Sequence, residues 1–203
     1  MKENNTWASS PELILTQREQ LKIMEIFNEV RDTPFDCGVI TEKPRDIKST
    51  IELLQKIGRG ACSPKHYLLG KKLEDLGLDV DYLSFPFKWG DLGVVFPKDL
   101  QALSVQVPVQ YHLSLGLTLD RYSCLLDATW DRKLKKYGFR VNEIPFFPSH
   151  NALGVQPCGE PVIHRTAQDR WDYILSLKKT MPINDVVPVF YEKFNQWLKS
   201  LRI

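Results

Sequence analysis

The sequence predicts an α+β fold: helices first, then an antiparallel sheet, then two closing helices. Three observations predict it. Apolar residues recur at helical spacing in the first third of the chain. Strict two-residue alternation replaces that spacing between Val109 and Leu119. Helical spacing then returns from about Thr166 to near the end. With 203 residues, one domain spanning 1–203 is expected, with a core over about 45–131.

The first helix starts at Thr16-Gln17-Arg18-Glu19, a capping box in which the Thr and Glu side chains satisfy free backbone N–H groups. Leu21, Ile23, Met24, Ile26, Phe27 and Val30 give it an apolar face to about Arg31. A second helix is expected from Asp46, with Ile47, Ile51, Leu54 and Ile57 on one face and Gly58 ending it. A third opens at Ser63-Pro64, read as N-cap and first helical residue, with Leu69, Leu73 and Leu76 inward and Gly77 closing. Cys62 therefore sits at a helix N-terminus.

Val80 to Phe85 reads as a strand, and 86–104, with its prolines and glycines, as a loop crossover. In the next strand Val109, Tyr111, Leu113, Leu115, Leu117 and Leu119 point one way, and Gln110, His112, Ser114, Gly116 and Thr118 the other. Asp120-Arg121 is a turn and Tyr122 to Asp127 the returning strand. Residues 142–165 are Pro- and Gly-rich, a loop or irregular edge. One closing helix covers about 166–179. The other begins near Asn184 with Val187, Phe190, Phe194, Trp197 and Leu201 on its apolar face.

Twenty-seven basic and 25 acidic side chains give a net charge of +2, so nothing points to nucleic acid or to an anionic membrane as partner. No apolar run reaches the roughly 20 residues of a membrane span, and no signal-type stretch follows Met1, so a cytoplasmic protein is expected. The four cysteines, Cys37, Cys62, Cys124 and Cys158, have no C-x-x-C spacing, which argues against a disulfide framework or zinc site. His150 and His164 show no metal-ligand spacing. Gly58-x-Gly60 lacks a dinucleotide fingerprint's third glycine, and Gly70-Lys71-Lys72 lies inside a helix, away from any phosphate loop.

Cys62, His112 and Asp127 form a chemically coherent set. A thiolate is stabilised at a helix N-terminus and by an adjacent imidazolium. A histidine serves as base to the thiol and acid to the leaving group, and a carboxylate behind it orients the ring. A two-residue Asp120-Arg121 loop pairs Leu119 with Tyr122. His112 and Asp127 then become diagonal neighbours on one face, roughly 7–8 Å apart along the backbone. An odd loop would separate them, and Asp131 shares the strand parity of Asp127 if the strand continues. His66, one turn after Cys62, is expected to face outward or pack locally. Phe85, Phe87, Trp89 and Phe96 read as a loop folded over the core, or as an apolar wall beside the thiol.

Gly60-Ala61-Cys62-Ser63-Pro64-Lys65-His66-Tyr67-Leu68-Leu69 resembles the Cys-helix motif of the transglutaminase-like superfamily. Tyr111-His112-Leu113 and Leu125-Leu126-Asp127-Ala128-Thr129 resemble its His and Asp motifs, in the same order. The resemblance implies a papain-like core, a Cys-bearing helix packed on an antiparallel sheet. It also implies acyl transfer from an amide through a thioester on Cys62, with His112 as acid and base and Asp127 orienting it. Peptides, proteins or small amides would be substrates, water or an amine the acceptor, and no cofactor or metal is required. The alternative is a non-catalytic scaffold that keeps the fold and uses the cleft for binding.

Overall fold

A computed structural model describes residues 16–38, 44–119, 122–143 and 152–202. Among them, helices α1 (Gln17–Asp32), α2 (Ile47–Ile57) and α3 (Cys62–Glu74) precede strand β1 (Val80–Phe87). A 3-10 turn (Trp89–Asp91) and α4 (Lys98–Ser104) lead to β2 (Gln110–Leu119) and β3 (Tyr122–Leu126). A second 3-10 helix (Arg132–Tyr137), β4 (Val162–His164), α5 (Ala167–Thr180) and α6 (Val186–Leu201) complete the order. The strands form one sheet in the order β3-β2-β1-β4, and every pairing is antiparallel. The α+β expectation therefore holds. Among the described residues no helix is long and apolar enough to cross a membrane.

The helix signals work as read at two of the first three starts. Thr16 and Glu19 form the capping box of α1. Asp46 caps α2 reciprocally with Ser49, and Gly58 ends it in a left-handed conformation. Three apolar assignments fail: Leu21, Ile57 and Leu76 are 54%, 42% and 46% exposed. The buried stripe of α1 is Ile23, Ile26, Phe27 and Val30, while Ile57 and Leu76 lie at or beyond helix ends, past the reach of the sheet. The third start is shifted. Ala61 is the N-cap and Cys62 the first helical residue, so Ser63 caps nothing and Pro64 sits third. A proline is tolerated there because no intrahelical acceptor awaits its nitrogen.

Two elements were not anticipated within their loops. α4 lies inside the expected crossover 86–104, where seven residues after Pro97 are too few to show a period. Strand β4 is a three-residue edge whose Val162 and Ile163 stay half-exposed, which fits the irregular-edge reading of that segment. The Asp120-Arg121 turn and His150 lie outside the described residues, but Leu119 does pair with Tyr122.

Two apolar clusters hold the fold. One joins α1–α3 to the sheet through Leu69, Leu73, Tyr82, Leu113, Leu115 and Leu126. The other surrounds α6, where Phe190, Phe194 and Leu198 are fully buried at four-residue spacing against Trp89, Phe96 and Trp130. Each such phenylalanine contributes about 1.5–3 kcal/mol of burial. Two of the polar set of β2 are also buried, His112 at 1% and Ser114 at 0% exposure. An imidazole so enclosed needs partners, and those partners define the site.

Candidate active site

The segment before α3 is held from the side. Gly60 N–H donates to Pro34 O at 3.1 Å, and Asp36 N–H to Gly60 O at 3.1 Å. A side chain at Gly60 would meet Leu54 Cδ1 at 2.7 Å, so a larger residue there would have to displace the Leu54 side chain. The chain then enters α3 with Cys62 on its first turn. The residue is half-buried, whereas Cys37 and Cys124 are buried and Cys158 is exposed. Cys37 packs in the α6 cluster.

His112, in β2, faces Cys62 and Asp127. Its Nε2 lies 2.7 Å from Asp127 Oδ2, and Cys62 is near enough that thiol and ring each shift the other's pKa. Asp127 follows β3 directly. The register Leu115↔Leu126 places it opposite Ser114, diagonal to His112, as the two-residue loop requires. Its other contacts are backbone donors: Gly154 N–H to Oδ2 at 2.7 Å and Thr129 N–H to Oδ1 at 3.0 Å. Gly154 O in turn accepts from Trp130 Nε1 at 2.6 Å. Trp130 closes the far side of the carboxylate while packing on Phe35 and Phe139.

Asp131 is committed elsewhere. Its carboxylate accepts from Phe35 N–H at 3.2 Å and pairs with the Arg202 guanidinium, tying the end of α6 to the chain after α1. The sequence left Asp127 and Asp131 open, and geometry separates them.

Charges in the site reinforce one another. Burial raises the Cys62 thiol, but the hydrogen bond and charge of His112, a Leu113 backbone N–H and the charge of Arg170 outweigh it, leaving the thiol at about 7. Burial pulls His112 down, and Asp127, then Cys62, pull it up further, so it stands well above its usual range. Burial likewise opposes ionisation of Asp127, but His112 holds its carboxyl far below the usual range. Above about pH 7 these influences favour a thiolate–imidazolium pair backed by a carboxylate. By contrast, burial first, then Asp36 and Cys62, push the Cys37 thiol well up, and burial takes Cys124 to about 12.

Of the two placements expected for His66, outward-facing or locally packed, the structure shows the second, fully buried. Its Nδ1 lies 2.8 Å from Cys62 O, and its Nε2 accepts from Ala128 N–H at 2.9 Å. Those partners fix the neutral tautomer with the proton on Nδ1, and burial keeps its pKa down at about 4 despite Asp127 nearby. The ring cross-braces the start of α3 to the end of β3, the two elements that carry Cys62 and Asp127. Lys65 braces the same junction: it is fully buried, and Nζ donates to Arg31 O, Thr33 O and Thr129 O at 2.7–2.8 Å.

A cleft of about 300 Å³ opens over Cys62. Phe87, Trp89 and Tyr191 line one side, so part of the aromatic cluster does form a wall beside the thiol. Phe96 instead packs against Phe190, Phe194 and Trp197. Ile174 and Leu177 of α5 and Met181, its C-cap, line the cleft as well. His164 pairs with Ser84 Oγ at 3.1 Å, and the described residues include no cluster suited to a metal ion. Compared with known proteins, the chain matches no family model, no curated protein and no solved structure.

Proposed function

We propose that the protein is a cysteine-dependent acyl-transfer enzyme with a papain-like, transglutaminase-like core, acting on an amide through a thioester on Cys62. The observation that carries this reading is the convergence of Cys62 on the hydrogen-bonded His112–Asp127 pair, with Cys62 lining a cleft. The Cys62 thiolate attacks the amide carbonyl, forming a C–S bond and a tetrahedral oxyanion. A backbone N–H at the start of α3, that of Cys62 itself, is the expected donor to that oxyanion. The imidazolium of His112 gives its proton to the leaving nitrogen as the C–N bond breaks. Water or an amine, deprotonated by His112, then attacks the thioester and regenerates the thiolate. Asp127 keeps the ring oriented and stabilises its cationic form. Peptides, proteins and small amides are the substrate class, and the mechanism requires no metal or organic cofactor.

The test needs no substrate. Near pH 6 an ordinary thiol is almost wholly protonated, whereas one at about 7 is about one-tenth thiolate. Brief exposure to iodoacetamide at pH 6, followed by peptide mapping, should label Cys62 ahead of the exposed Cys158. His112→Ala should remove most of that preference. If Cys158 reacts as fast as Cys62, the cleft belongs to a non-catalytic scaffold.

A further inference from the structure

We propose that the amide substrate carries a carboxylate close to the reacting carbonyl, and that Arg170 binds it. The inference rests on the acyl-transfer reading and adds the substrate's charge to it. Arg170 lies in the first turn of α5 and is 3% exposed, yet it lines the cleft that holds Cys62. Its partners are neutral: Nη1 donates to Tyr67 Oη at 3.0 Å and Nη2 reaches Tyr111 O at 3.5 Å. Nε is buried with no hydrogen-bond partner. Among the described residues the guanidinium forms no ion pair with a carboxylate, unlike Arg31, Arg165 and Arg202.

That arrangement is costly by itself. A buried cation without a counter-charge is strongly disfavoured, and the N-terminal turn of a helix is the end that repels cations. An apolar side chain would fill the same volume without either cost. The residues that line the cleft with Arg170 include no carboxylate to offset it. A planar anion entering beside the thiol would complete the guanidinium's set of donors, and carboxylate geometry suits that fork. The cleft's small volume keeps such a group within one residue of the amide.

The competing explanation is that Arg170 only tunes the thiol, because its charge is among the influences that lower Cys62. Matched electrophiles separate the two. N-iodoacetylglycine and its neutral N-methylamide share one reacting carbon, at which the C–S bond forms as iodide leaves. A second pair, N-iodoacetyl-aspartate α-amide and N-iodoacetyl-asparagine α-amide, moves the carboxylate onto a side chain. Alkylation rates at Cys62 are read at pH 6 by peptide mapping, with Cys158 as the internal reference.

In at least one pair the anionic member should react about tenfold faster at Cys62 than its twin, relative to Cys158, as one charge-assisted contact allows. The pair that responds identifies an α-carboxylate or a side-chain carboxylate as the recognised group. Arg170→Gln should abolish the anionic preference, and Arg170→Lys should keep part of it. A guanidinium that merely tunes the thiol would slow both twins equally and leave their ratio unchanged, which overturns the proposal. No anionic preference in the unmodified protein also overturns it, even if neither variant folds. Failure of the enzyme reading looks different: there the neutral twins label Cys62 no faster than Cys158.

Discussion

Replacing Asp127 with Asn isolates the part of thiol activation that passes through the imidazole. The carboxylate accepts from His112 Nε2, Gly154 N–H and Thr129 N–H through both oxygens. An asparagine offers one oxygen and one NH₂, so at least one of these donors would face another donor. The cost is about 1–3 kcal/mol of stability, which leaves a folded variant. The larger effect is on Cys62. Without the carboxylate, His112 loses the main interaction that holds it cationic. The thiol then rises from about 7 toward its ordinary 9.0, and burial favours the protonated form further. Two pH units lower the thiolate fraction at pH 6 about a hundredfold. The more basic thiolate is intrinsically about six- to tenfold more nucleophilic, so the net fall in alkylation rate is about tenfold. Stopped-flow alkylation of Cys62 by iodoacetamide from pH 5 to 10 measures both terms. The variant should be slower below pH 7 and overtake the parent above about pH 8. A variant whose rate rises with an unchanged midpoint near 7 would refute the coupling through Asp127.

Any amide turnover by the unmodified protein should rise through about pH 7 as the thiol ionises and fall near pH 10 as the imidazolium is lost. These two apparent values belong to the pair, so a pH–rate profile of kcat/KM lacking the alkaline limb would contradict a protonated His112. His66 predicts an acid-side effect on stability. Its pKa is lowered in the fold to about 4 from 6.5, so its contribution is complete above pH 6.5 and lost as pH falls through 4. Urea titrations should lose about 3 kcal/mol over that window, and His66→Gln should flatten the dependence. Lys65→Met leaves three carbonyls without their shared donor, at a cost of about 3 kcal/mol by thermal unfolding. Equal stability in that variant would mean that water replaces the ammonium at no cost.

Local rules carried the helix caps and the hairpin. Thr16 with Glu19, and Asp46 with its following turn, are contacts within four residues, so they are legible in the sequence and appear as read. The alternation of β2 and a two-residue turn fix strand parity, and parity alone puts His112 and Asp127 on one face. Cys62, His112 and Asp127 were thus accessible as a set because each sits at a locally defined position: a helix start, a strand face and a strand end.

Contacts between distant segments decided the rest. Asp131 has the same parity as Asp127, and only the arrival of Phe35 and Arg202 beside it shows where its carboxylate pairs. Helical spacing from Cys62 leaves His66 facing outward or packed locally, and the fold buries it with Ala128, 62 residues later, bringing an N–H to its ring. Cys37 belongs to a loop by sequence and to the α6 core by packing. Arg170 is an ordinary arginine in the first turn of a helix until the fold buries it beside Cys62 without a carboxylate. Periodicity and capping depend on neighbours along the chain, which a sequence displays. Burial, tautomer and unbalanced charge depend on which remote segments meet, and tertiary packing alone sets those.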